Sequence, residues 1–419
     1  MSLHEHEHDQ CDDIFPGDLI REILLRLPVK HLLRLSCVCR SWKSLIFSHE
    51  FAMDHLQQHS PHHPQLLSCT MGFALSNKIT HCSLPSLLCD DELQPTEFVP
   101  LAIAKDMTGE LFVIGSCNGL LCMSQNYEKF NTLTLFNPCN HSIYRTIPME
   151  NRFEYHRYHE YWDPFEYCYG FGYDTLHDKY KFVMCSNKPP TTDDKMKMTR
   201  CRARVCTFGT DPCWKSIDLP LFPYTVCLVK CNGTLVSETL NWTAYDPTKD
   251  DDEDHLFKHR YWFILMFELK TESFGRLCLP RNNYTNYYVG PHLQVLKNCL
   301  CVSFQPPYDE TCCTLWILKE YGVEESWTVL FTIPYSNGIP QHIECLYVSE
   351  DDLVLAYEHH NQLHGKLFVY DSRKGKLFYP VLDNPFPWEG TQTYFEVYHQ
   401  SLVSPSSFLF FPMSHVCVL

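Results

Sequence analysis

The chain has 419 residues, of which 45% are hydrophobic and 14% aromatic, enough to bury a large core and more than one folding unit; a disordered chain is excluded. Its 34 Lys and Arg stand against 50 Asp and Glu, a formal charge of -16, so it lacks the surplus positive charge that general nucleic-acid binding needs. The longest apolar runs, such as Tyr261 to Phe267, fall far short of the roughly 20 residues of a membrane span, and no membrane partner is expected.

The first residues, "MSLHEHEHDQCDD", are rich in His and acid where a secretory signal needs a basic start and an apolar run, so residues 1–11 read as a disordered tail and the expected location is cytoplasmic or nuclear. In a reducing compartment the 23 cysteines, an odd number without repeated spacing, read as reduced side chains, most of them inside strand-like segments such as the one around Cys299 and Cys301. His4, His6 and His8 in the tail read as incidental, and no metal or other cofactor is expected.

From Pro16 to Leu27 the spacing predicts an amphipathic helix, with Leu19, Ile20, Ile23, Leu24 and Leu27 on one face and Arg21, Glu22 and Arg26 on the other. Pro16 suits its first turn and Pro28 stops it. Leu32, Leu33 and Leu35 begin a second short apolar segment; Val38, Trp42, Leu45 and Ile46 mark a third, with Arg40 and Lys43 on its polar side. Three short helices in so few residues are too small to be stable alone.

The ordered run Phe15-Pro16, Leu19-Ile20, Ile23-Leu24, Leu27-Pro28-Val29, Leu32-Leu33-Arg34, Cys37 to Trp42 and Leu45-Ile46 resembles an F-box in the form common among plant proteins. The resemblance implies an F-box over residues 12–52 that docks on a Skp-family adaptor and, through it, a cullin, the adaptor covering apolar side chains the module cannot bury itself. The adaptor-binding residues it implies are Phe15, Pro16, Leu19, Ile20, Ile23, Leu24, Leu27, Pro28, Leu32, Val38, Arg40 and Trp42. Phe15 departs from the family, which usually has Leu there. Lys30, Arg34, Arg40 and Lys43 give the module a local positive charge suited to an acidic adaptor surface.

Residues 53–65, polar and broken by Pro61 and Pro64, read as a linker or helix end. Beyond them a hairpin recurs five times: two strand-like runs around a polar turn, each ending in an apolar residue and proline, at Pro148, Pro220, Pro280, Pro334 and Pro380. Each copy follows another pair of strand-like runs. Four strands per repeat predict β-propeller blades, and pairing the C-terminal "TYFEVYHQSLVSP" with "LLSCTMGFALSNKITHCSL" at the start supplies a sixth blade that closes the ring. The expected fold is α+β in two domains, a small helical F-box and an all-β propeller of about six blades over residues 66–412, with a tail at 413–419; an irregular β-sandwich is the alternative.

The segments "GSCNGLLC" (115–122), "FNP" (136–138), "YGFGYD" (169–174), "TLNW" (239–242) and "LKEYGVEESWTVLFTI" (318–333) resemble the kelch-like F-box-associated region of plant F-box proteins. Glu238 stands where a glycine is usual, and the acidic insert at 249–254 lengthens one loop.

Catalytic signals are weak. Gly115 to Gly119 has the outline of a hydrolase elbow with Cys117 as nucleophile, but a strand follows where the elbow needs a helix, so Asn118-Gly119 reads as a tight hairpin turn. His342-Ile343-Glu344 lacks the thiolate partners of a zinc deaminase and reads as a strand edge. The function the resemblance implies, with which the missing catalytic motifs agree, is a non-catalytic substrate receptor of a Skp–cullin–F-box ubiquitin ligase, holding an unknown target protein on its β-domain for ubiquitination and degradation. A propeller enzyme with a channel active site, or an F-box scaffold that degrades nothing, are the alternatives.

Overall fold

A computed structural model describes residues 16–59, 64–71, 78–89, 96–101, 110–127, 130–149, 167–186, 202–209, 213–218, 227–228, 232–245, 262–280, 291–304, 312–335, 342–361, 364–382 and 392–404. The N-terminal part is helical: α1 (Gly17–Leu25), α2 (Val29–Leu35), α3 (Arg40–Ile46) and α4 (His49–His59). Prolines precede the first two, Pro16 and Pro28 sitting in extended conformation at the cap positions. Side chains start the other two: Cys39 Sγ accepts from Trp42 N at 3.5 Å, and Ser48 Oγ accepts from Phe51 N at 3.3 Å. The expectation of three helices is short by one. α4 runs through Met53 to His59, the helix end that the polar segment allows, and the first strand already begins at Pro64.

Most of the remaining described chain forms six antiparallel sheets. Blade I comprises Glu110–Cys117, Leu120–Tyr127, Phe130–Phe136 and Ile143–Met149; blade II comprises Tyr167–Asp174, Lys179–Ser186, Arg202–Thr207 and Cys213–Asp218. In blade III the innermost position is shared by Cys227–Leu228 and Thr234–Val236, followed by Thr239–Tyr245, Trp262–Glu268 and Ser273–Leu277. Blade IV is His292–Leu296, Cys299–Ser303, Cys312–Leu318 and Trp327–Pro334, and blade V is His342–Val348, Leu353–Asn361, His364–Asp371 and Lys376–Phe378.

Blade VI joins the two ends of the β-region: Gln392–His399 pairs antiparallel with Pro64–Met71, which continues to Lys78–Ser83 and Val99–Pro100. The innermost strands touch their neighbours in order around the circle, and the last touches the first. The ring is a six-bladed propeller closed by its own C-terminal strand, as the paired termini predict.

Burial follows position in the blade. Thr239–Tyr245, in the middle of blade III, is buried at every residue, whereas the outermost strand of blade IV, Trp327–Pro334, is buried only at Trp327 and Ile333. The apolar core is divided into seams between consecutive blades. Leu121, Met123 and Leu67 fill the seam of VI and I; Trp242, Phe263 and Val205 that of II and III; Val236, Leu300 and Val302 that of III and IV. Cys301, Cys345 and Phe368 fill the seam of IV and V, and Leu66, Leu355 and Tyr357 that of V and VI. The seam of I and II is larger. Its Leu120, Leu133, Phe171 and Tyr180 are continuous with Ile20, Leu24, Leu32, Ile46 and Phe51 of the helices, so helices and ring share one core.

Candidate docking surface

α1 carries two apolar rows a quarter-turn apart. Ile20 and Leu24, with Leu25 behind them, are 7%, 1% and 1% exposed and point into the shared core, whereas Leu19 and Ile23 are 45% and 51% exposed. Residues four apart lie one above the other on a helix, so each pair makes a continuous stripe. The single apolar face read from the spacing is thus split between two environments. Val38, in the loop before α3, adds a third exposed apolar side chain, at 55%.

The implied adaptor-binding residues divide accordingly. Pro16, Leu19, Ile23, Val38 and Arg40 are exposed, and Leu27, Pro28 and Trp42 are half-buried. Ile20, Leu24 and Leu32 are interior, and their packing within this chain removes them from the surface a partner can touch. Phe15 lies outside the described residues, as do both tails' outer parts and the insert at 249–254. Lys30, Arg34, Arg40 and Lys43 are all exposed, giving the module a basic surface on an acidic protein.

The unforeseen helix α4 holds α1 in place. Arg21 of α1 hydrogen-bonds Asp54 and lies 3.8 Å from Glu50, and buried His55 meets the carbonyl of Leu27 at 2.8 Å, tying down the end of α1. The polar, His-rich composition of 53–65 hid this helix, because Phe51 and Leu56 are its main buried apolar residues among charged and amide neighbours. At its start His49 lies 3.3 Å from Asp178 in the first turn of blade II, a polar link from module to ring.

The motifs of the β-region prove to be joints of the ring. Asn118 and Gly119 turn from one strand to the next with φ of 52° and 76°, and no helix follows; the Cys117 thiol is pushed up to about 12 by burial, far from a thiolate at neutral pH. Gly170 and Gly172 leave room for Leu240 and Leu235 of blade III, where an added Cβ would come within 2.7 and 2.8 Å. Trp242 Nε1 donates to the Tyr169 carbonyl at 3.0 Å, and Asn241 is bonded by the Tyr321 hydroxyl at 2.7 Å, so "TLNW" locks blade III to both neighbours. The glycine usually found at 238 is explained by geometry: Glu238 adopts a φ of 59° there, and its carboxylate receives Thr175 Oγ1 at 2.9 Å.

Two family descriptions match this chain. The F-box domain matches residues 13–53, and the F-box associated beta propeller domain matches residues 73–405. The chain belongs to the F-box-associated β-propeller family. Its F-box is the four-helix module described above, and its propeller is the ring. Similar relatives include an F-box/kelch-repeat protein of Arabidopsis thaliana, 27% identical with 93% of this chain and 96% of the relative covered. A second Arabidopsis F-box protein is 27% identical over 78% of this chain and 75% of its own, and the Arabidopsis F-box protein CPR1 is 25% identical over 86% and 83%. Among the described residues no helix of this F-box protein is long and apolar enough to cross a membrane.

Proposed function

We propose that this F-box protein is the substrate-recognition subunit of a Skp–cullin–F-box ubiquitin ligase. The observation that carries the reading is the exposure of Leu19 and Ile23 along one row of α1, with Val38 also exposed, on a module whose other apolar row is already buried. Three large apolar side chains held in water by a rigid support have no use within this chain. Covering the half of each side chain that is still exposed stabilises a complex by about 1 kcal/mol each, and the exposed Lys30, Arg34, Arg40 and Lys43 suit an acidic Skp-family adaptor.

The propeller then holds the target protein, and the mechanism is proximity. A receptor raises the effective concentration of target lysines near the charged conjugating enzyme and needs no acid, base or nucleophile of its own. Such a receptor works in the cytoplasm or the nucleus. The test is recovery of adaptor and cullin from plant extract, with the proteasome inhibited, by the intact chain and by Leu19→Asp/Ile23→Asp. Loss of both by the variant, with the propeller's own partner retained, supports the reading; equal recovery of the adaptor refutes it. A target whose half-life is unchanged when the receptor is depleted would remove the degradation step.

A further inference from the structure

The core that the F-box shares with the ring also includes residues that follow the last strand. After Gln392–His399 closes the ring, residues Ser401–Ser404 run on as an irregular strap that is 0%, 1%, 0% and 8% exposed. Leu402 and Val403 belong to the same buried cluster as Ile20, Leu24, Leu32 and Phe51 of the helices and Leu120, Leu133 and Phe171 of blades I and II. The strap therefore belongs to the one core that the F-box helices share with the ring.

Dedicated side chains hold it there. Asn137, fully buried, donates from Nδ2 to the carbonyls of Ser401 at 3.0 Å and Val403 at 2.7 Å, while its Oδ1 accepts from Cys139 N at 2.8 Å. Asn140 Nδ2 reaches the Leu402 carbonyl at 3.4 Å, and Ser401 Oγ donates to the Asn118 carbonyl at 2.9 Å. Gly119 supplies the clearance: a Cβ there would lie 2.3 Å from Ser401 Oγ and 2.7 Å from the His399 carbonyl. An irregular backbone has no ladder to satisfy its carbonyls, so a buried strap needs such donors.

The chain geometry makes this part of the core late. Pro64, the first strand residue after the helices, is paired with His399, the residue that leads into the strap. The F-box is made first, but part of its support exists only after the last strand has been added. Four short helices without that support fall below the size at which a module buries enough surface to be stable.

We infer that the strap at Ser401–Ser404, pinned by Asn137 and admitted by Gly119, makes adaptor docking conditional on closure of the propeller. An F-box protein with an open ring does not present an ordered stripe, so incomplete receptors stay off the ligase. The inference rests on the adaptor-docking reading above, and Asn137 and Gly119 act in it as positioning residues that touch no partner.

The test uses the full-length chain with Asn137→Ala, which removes the donors, and Gly119→Ala, which displaces the strap from the other side. Affinity for a purified Skp-family adaptor is measured by calorimetry, and amide hydrogen exchange is followed in α1–α4 and in Leu353–Asn361 of distant blade V. The expected result is at least tenfold weaker adaptor binding and faster exchange in the helices, with blade V protection unchanged. Unchanged affinity and helix protection in both variants would overturn the inference. So would equal loss of protection in blade V, which would make the strap a part of the ring alone. Leu19→Asp/Ile23→Asp is the control. If that variant keeps the adaptor, the docking reading falls, while the exchange measurements still decide whether the strap supports the helices.

Discussion

Within the ring every blade is covered on both faces by its neighbours and the last strand meets the first, whereas the F-box is covered on one side only. Both parts use short amphipathic elements that cannot bury themselves. The propeller solves this by circular closure, which buries every residue of the central strand Thr239–Tyr245. The F-box solves half of it against blades I and II and leaves Leu19, Ile23 and Val38 outside. An apolar stripe beside a finished core differs from an unfinished core. It can be covered and uncovered without unfolding anything, which a reversible docking site requires.

The comparison can be broken first where the ring is most committed. Lys181 in blade II is 5% exposed and bonds Asp174 at 2.8 Å, Glu272 of blade III at 2.9 Å and the Leu269 carbonyl at 2.7 Å. Removing the lysine leaves buried Asp174 with His177 alone and Glu272 with Lys215 alone, so Lys181→Met is expected to destabilise the protein by about 3 kcal/mol, the low end for breaking a buried pair, in denaturant unfolding. Adaptor binding then falls only as far as the folded fraction does.

The two rows of α1 give the next largest contrast. Leu24→Ala opens a cavity in the shared core and is expected to cost about 2–5 kcal/mol of stability. Leu19→Ala and Ile23→Ala should change stability by no more than about 0.5 kcal/mol, yet weaken adaptor binding by more than about 1 kcal/mol each if the stripe is the docking site. Equal effects of Leu24 and Ile23 on unfolding would mean that the rows are not separate environments.

How much of this was legible follows from which interactions are local. The blades could be read because each hairpin carries its own alternation and turn, and because the two unpaired end segments matched in kind; the Pro64–His399 pairing bears this out. The division of α1 could not be read. Leu19, Ile20, Ile23 and Leu24 all fit one helical face, and only the placement of blade I and the strap decides which pair is interior. Asn137 was visible as part of "FNP", but its role depends on residues far away in sequence. The length of α4 is not legible because its stability comes from Arg21–Asp54 and His55 contacts with α1, while its own composition fits a linker as well as a helix end.

Acid sharpens the contrast between seam and stripe. Burial raises the pKa of Asp174, but hydrogen bonds from Lys181 and His177 outweigh it and hold the carboxyl below its ordinary 3.8; Glu272 is likewise held below 4.5 by Lys215 and Lys181 despite burial. A carboxyl depressed in the folded state contributes stability above its unfolded pKa and loses it as pH falls through the folded value. Unfolding free energy contributed by this pair should therefore be level from pH 7 to about 5 and decline below about 4, a decline that Lys181→Met should flatten. The apolar stripe has no such dependence.

The same seam offers a smaller link for comparison, and here opposing effects nearly cancel. Glu238 of blade III reaches Thr175 of blade II at the surface, with Thr175 N at 3.4 Å and Oγ1 at 2.9 Å. Holding a non-glycine residue at φ 59° costs about 1–2 kcal/mol, which Glu238→Gly relieves. Against that, the variant gives up solvent-exposed hydrogen bonds worth about 0.5–1.5 kcal/mol and gains unfolded-chain entropy worth about 0.4–1 kcal/mol. The expected net change is within about 0.5 kcal/mol, read as a small shift in thermal midpoint. A loss above about 1.5 kcal/mol, more than a solvent-exposed hydrogen bond is worth, would instead mean that the surface link clamps blades II and III much as Lys181 does beneath it.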